Sequence, residues 1–100
     1  MDFKVGLTDE ALADLRSIVE YIARDSAEAS SYVGNELIAT AESLSVLPHR
    51  GAPVKERGDM RKVFRWHYAI YHRVKEAERR VEVLRVWDTR RDPRELVLPR

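Results

Sequence analysis

Cysteine is missing from this chain altogether, which excludes disulfides, thiolate chemistry and cysteine-ligated zinc. No apolar run approaches the roughly 18 residues that a membrane-spanning helix needs. The N-terminus lacks the basic-then-apolar pattern of a secretory signal, so a cytoplasmic location is the expectation. There is no internal repeat, linker or low-complexity tract. Positive charge is scarce in the first half: residues 1–49 hold 3 Lys/Arg against 9 Asp/Glu, a net of −6. Residues 50–100 reverse this, with 15 Lys/Arg against 8 Asp/Glu, a net of +7. Such polarity points either to an anionic partner for the second half or to mutual neutralisation of the two halves across the fold.

What is present suffices for one folded domain. The chain has 100 residues, 44% of them hydrophobic, enough for a single core and too few for two. Phe3–Leu7 alternates as a half-buried strand does. Thr8 is placed to cap a helix whose first turn holds Asp9 and Glu10, where the helix dipole favours carboxylates. Leu12, Leu15, Ile18, Val19 and Ile22 recur at helical spacing, so the first helix is expected over about Asp9–Arg24. Ser26 caps a second helix with the stripe Val33, Leu37, Ala41, Leu44 and Leu47, ending before Pro48. A break as short as Asp25-Ser26 makes the pair an antiparallel hairpin. The tract from His49 to Asp59 reads as loop.

The stretch Met60–Asp92 organises the rest. Arg61–Phe64, Tyr68–Val74 and Val81–Trp87 read as three antiparallel strands, with corners at Trp66-His67 and Lys75–Arg80. The order β-α-α-β-β-β predicts an α+β fold, with the helix hairpin on one face of a mostly antiparallel twisted sheet. The first strand enters that sheet beside a later one. Pairing Arg65 with Tyr68 and Lys75 with Arg80 places Arg61, Val63, Arg65, Tyr68, Ile70, His72, Val81, Val83, Arg85 and Trp87 on one face. Phe64, Ala69, Tyr71, Arg73, Glu82, Leu84 and Val86 fall on the other. Both faces are apolar, so the one the helices leave open is expected to meet a partner chain.

Over nearly its whole length the chain resembles the ParE/RelE superfamily of toxins from type II toxin–antitoxin modules. The resemblance is carried by the opening strand, by Asp9-Glu10-Ala11 with Asp14-Leu15, and by the corner Leu47–Gly51. Met60-Arg61 followed by Tyr68–Val74 is similar to the ParE-type Leu-Arg pair and Tyr-rich strand ending in Arg. Val81–Trp87 followed by Arg91-Asp92 is similar to the last strand and its tail. The resemblance implies a single toxin domain over residues 1–100, of the plasmid-stabilisation type. It also implies a cognate antitoxin bound in a hetero-oligomer, and DNA gyrase as target with no nuclease residues. The alternatives it leaves are a RelE-like mRNA endonuclease acting on the ribosome, and a degenerate member acting only as an antitoxin-binding co-repressor. Asp88 stands where many relatives have His, and no Tyr follows Arg91; both departures weaken the nuclease alternative.

On this basis the target-binding residues are expected to be Arg61, Arg65, Arg85 and Arg91. Tyr68, Ile70 and Trp87 are the expected antitoxin contacts. Were the chain a ribonuclease, Arg61, Arg65 and Arg91 would be its phosphate-stabilising residues, since guanidinium cannot move a proton at neutral pH. Arg85 lies within a strand, and an interior guanidinium needs a counter-charge such as Glu20 or Glu36. His49 and His72 have no partners at metal-ligand spacing, so no metal and no cofactor are expected.

Overall fold

Thr8 ties the start of the chain to its end. In the computed structural model, which describes residues 2–100, strand β1 (Lys4–Leu7) leads through Thr8 into helix α1 (Asp9–Ala23). The Thr8 hydroxyl accepts from the Ala11 N–H at 3.1 Å and donates to the Leu84 carbonyl at 3.0 Å. Its own N–H donates to the Val83 carbonyl at 3.0 Å. One residue thus caps α1 and fixes β1 against the last strand. Ser26 caps helix α2 (Ala27–Glu42) by accepting from the Ala29 N–H at 3.0 Å. The helices meet closely: the Ser30 hydroxyl donates to the Val19 carbonyl at 2.8 Å, and a Cβ on Gly34 would lie 3.0 Å from the Val19 side chain.

Helix α2 stops earlier than its apolar stripe suggests. After Glu42 the backbone tightens into a short helical turn, Ser43–Ser45, and Leu47 is left exposed rather than joining the core. Leu12, counted in the stripe of α1, is also exposed. The tract expected to be loop contains strand β2 (Ala52–Val54), paired antiparallel with β3 (Arg57–Arg65). Strand β4 (Tyr68–Lys75) and strand β5 (Arg80–Asp88) follow. The sheet order is β1-β5-β4-β3-β2, with β1 parallel to β5 and every other pair antiparallel.

Both hairpin registers are as expected: Arg65 lies opposite Tyr68 and Lys75 opposite Arg80. Between them the β4–β5 ladder carries a bulge, Tyr71 facing Arg85 and His72 facing Val83. The extra residue, Leu84, reverses the alternation for the remainder of β5. Val86 therefore points to the helices and Trp87 away from them, the opposite of the sequence-based assignment. The core under the helices joins Ala11, Leu37, Ala41 and Leu44 to Val63, Tyr68, Ile70, Val81, Val83 and Val86. A second cluster on the far face joins Met60, Ala69, Tyr71, Leu84 and Trp87, with Val54, Leu96 and Leu98 packed against it. That face, expected to await a partner, is covered in part by the chain's own residues after β5.

Candidate functional site

Where α1 passes the upper half of β5, strand β1 has already ended, and the strand edge would be open. Asp14 closes it. Its carboxylate accepts from Arg85 Nε at 2.7 Å and Nη2 at 2.9 Å, and from the Val86 N–H at 3.0 Å. A two-pronged guanidinium–carboxylate bond is among the strongest polar contacts a protein makes. It pushes the Arg85 guanidinium above its ordinary range, against the opposing effect of burial. The expected interior ion pair of Arg85 is therefore present, with Asp14 in the place of Glu20 or Glu36. Glu36 instead sits 3.4 Å from Arg65.

Beside this pair a cleft of about 370 Å³ runs between α1 and the end of β5, lined by Asp14, Ile18, Tyr21, Tyr68, Asp88 and Arg91 among others. Asp88 accepts from Arg90 Nε at 3.1 Å and Nη2 at 2.9 Å, and this holds its carboxyl below the usual carboxylate range. Arg91 stacks on the Trp87 ring at 4.5 Å and meets Glu95 at 3.2 Å.

The far face of the sheet carries the other cationic group. Arg73 lies 2.9 Å from Asp59, and Lys62 stands 5.8 Å from the Tyr71 ring. Arg85 reaches the same face, with the Trp87 ring at 5.6 Å. The backbone of residues 97–100 crosses here. Arg85 donates to the Val97 carbonyl at 3.0 Å, Arg73 to the Arg100 carbonyl at 2.7 Å, and Arg57 to the Pro99 carbonyl. Arg57 and Arg73 had no place among the sequence-based candidates; the carbonyls that engage them belong to a segment whose path the sequence does not show.

The four arginines expected to meet a target do not converge. Arg65 is with Glu36 on the helix side, and Arg61 donates to the Gly51 carbonyl at 3.0 Å at the β2 corner. Arg85 and Arg91 belong to β5 and the turn after it, separated from β3 by β4, and both contact Trp87. The three expected antitoxin contacts are interior: Ile70 and Tyr68 lie beneath the helices, and Trp87 is buried in the far-face cluster.

The histidines lie in three different places, His72 opposite Arg61 in the β3–β4 ladder. His72 is fully buried, its Nε2 3.0 Å from the Pro48 carbonyl. Burial lowers its pKa below the ordinary value, more strongly than the Pro48 and Ile70 carbonyls raise it. His49 contacts Glu76, and His67 packs on the Tyr68 ring at 4.2 Å.

Two helices laid on a five-stranded sheet whose first strand is parallel to its neighbour make the RelE/ParE fold. A chain of the toxin–antitoxin complex RelBE2 from Mycobacterium tuberculosis superposes with a TM-score of 0.68 at 21% identity, covering 86% of this chain and 96% of that one. A chain of the chromosomal ParDE system from P. aeruginosa gives 0.69 at 22% identity, covering 84% and 92%. No curated protein matches significantly. The family model described as the ParE toxin of the type II toxin–antitoxin system parDE matches residues 5–93. The chain belongs to that family of toxins.

Proposed function

We propose that this toxin is ParE-like in action: it binds and poisons DNA gyrase, without nuclease chemistry, and is neutralised by a cognate antitoxin. The observation that carries this reading is the match to a ParE toxin model over residues 5–93. The placement of the histidines supports it. Cleaving RNA through its 2′-hydroxyl needs a base and an acid near one phosphate. Here His72 is fully buried against the Pro48 carbonyl, His49 contacts Glu76, and His67 packs on the Tyr68 ring. Arg91, exposed at the mouth of the α1–β5 cleft, is the first arginine assigned to the target surface, with Arg61, Arg65 and Arg85 after it.

A RelE-like endonuclease is the second reading. It is favoured by the far face, which carries Lys62, Arg73 and Arg85, cations able to hold a phosphate. Incubating the purified chain with gyrase and plasmid DNA separates the two. The first reading expects inhibited supercoiling and accumulated cleaved DNA, with translation unaffected. Intact gyrase activity together with mRNA cut on ribosomes would replace it with the second.

A further inference from the structure

The cleft between α1 and the end of β5 does not stop at Tyr21. A second hollow of about 450 Å³ adjoins it toward the Trp66-His67 corner, and the two share Tyr21, Tyr68 and Arg90 as walls. This second hollow is mostly apolar, with Ile22, Val33 and Trp66 completing it. Two of its rings are open to solvent: Tyr21 is 65% exposed and Trp66 45%. Trp66 holds its indole there from a left-handed backbone, φ 54°, which bulky residues seldom adopt. His67 also lines the hollow, and its buried Nε2 has no hydrogen-bond partner among the described residues. Buried polar atoms are rarely left in that state. An imidazole nitrogen donates or accepts according to its tautomer, so either kind of ligand group satisfies it.

The first hollow supplies charge. Arg90 spends Nε and Nη2 on Asp88, which leaves Nη1 free. Arg91 gives only Nη2 to Glu95, which leaves Nε and Nη1. The two carboxylates of the cleft are already matched, Asp14 by Arg85 and Asp88 by Arg90. The Arg91–Glu95 pair is exposed on both sides, and such pairs are weak, so a doubly charged phosphate displaces Glu95. An aromatic-walled hollow with one unsatisfied nitrogen, beside two guanidiniums, suits a ligand that is flat at one end and anionic at the other. We propose that this groove binds a nucleoside phosphate. The base lies between Tyr21 and Trp66 with one edge atom on His67 Nε2, and the phosphate meets Arg90 and Arg91. The same chemistry recognises a free nucleotide and one residue of a single strand. The proposal rests on the helix-side groove alone, whichever macromolecule the toxin acts on.

The test titrates the full-length chain, labelled with ¹⁵N, with four nucleoside 5′-monophosphates (adenosine, guanosine, cytidine, uridine), the matching nucleosides, inorganic phosphate and a short single-stranded DNA. A monophosphate or the oligonucleotide is expected to bind saturably, at least tenfold more tightly than the nucleoside or phosphate alone. The Trp66 indole signal and the His67 Nε2 signal should move, while the ring signals of His49 and His72 stay in place. Tyr21→Ala and Arg90→Gln should each weaken binding about tenfold, and Arg90→Gln should also erase the advantage of nucleotide over nucleoside. Lys55→Gln removes the same charge from an exposed residue between β2 and β3 and should change nothing. Equal affinity for monophosphate and oligonucleotide assigns the site to a free nucleotide; tenfold tighter binding of the oligonucleotide assigns it to a strand. Binding of neither, phosphate alone binding as tightly, an unmoved His67 signal, or equal losses in Lys55→Gln and Arg90→Gln would overturn the proposal.

Discussion

Gly51 shows how much one residue can fix. Its φ of +102° lies where side chains are rarely tolerated, and a Cβ there would sit 2.4 Å from the Lys62 carbonyl oxygen. Its own carbonyl accepts from Arg61, so the corner that starts β2 also orients an arginine assigned to the target. Gly51→Ala is expected to cost about 2–3 kcal/mol, since backbone strain and a backbone clash add. Equilibrium denaturation reads this directly. His72 gives a second residue-scale expectation. Its folded pKa is depressed, so the unfolded chain binds the extra proton more readily. The stabilising contribution is whole above the unfolded value near 6.5 and declines as pH falls through 6.5 toward the folded pKa. Asp88 is also depressed, but its contribution is lost only at carboxylate pH, well below that window. Denaturation midpoints at pH 7.5 and pH 5.5 should therefore differ in the parent. They should differ less in His72→Gln, which cannot titrate.

At the scale of elements, the decisive feature is the strand edge that β1 leaves open. An unpaired edge invites pairing with other chains, and Asp14 answers it from α1 by taking the Val86 N–H. Asp14→Ala would strand both that N–H and the Arg85 guanidinium in a place where each is mostly buried. The expected loss is about 3 kcal/mol. Amide exchange at Val86 should quicken more than at Ile70 in the middle of β4; unchanged exchange would remove Asp14 from the role. The sequence made much of this scale legible. Helical periodicity and the caps at Thr8 and Ser26 placed α1 and α2, and β-branched runs with polar breaks placed β4 and β5. What it hid has physical causes. Strand β2 and the start of β3 form an exposed edge hairpin, where Lys55, Glu56, Arg57 and Asp59 need no burial and show no alternation. The Lys75–Arg80 turn has no glycine because Arg79 itself adopts the left-handed conformation, φ 49°. The bulge at Leu84 falls inside an unbroken apolar run, Val83-Leu84, which carries no mark of a reversal. That single residue moved Trp87 and Arg85 to the far face and with them half of the candidate site.

For the molecule as a whole, the question is what its divided charge does. Asp14–Arg85 and Glu36–Arg65 join the acidic helical half to the basic sheet half. Arg90, Arg91 and Arg94 pair instead with Asp88, Glu95 and Asp92, within the turn and tail. Neutralisation between the halves is thus partial, and Arg90 and Arg91 at the β5 end stay more than half exposed beside their carboxylates. Arg91 is the test of whether they are used. Its side chain is about half exposed and bonded to an equally exposed Glu95. Such a pair contributes little to folding, on the order of 0–1 kcal/mol. Arg91→Ala should therefore keep its unfolding midpoint and its antitoxin, yet lose most of its growth inhibition when induced alone. Arg61→Ala has a different signature, because it gives up the bond to Gly51 and should lose about 1 kcal/mol of stability along with toxicity. Arg91→Lys separates charge from geometry: a point charge preserves long-range attraction but not the planar stack on Trp87. Restored toxicity in Arg91→Lys would assign Arg91 to attraction, and continued loss would assign it to a fitted contact. Full toxicity in Arg91→Ala would move the target surface away from the end of β5.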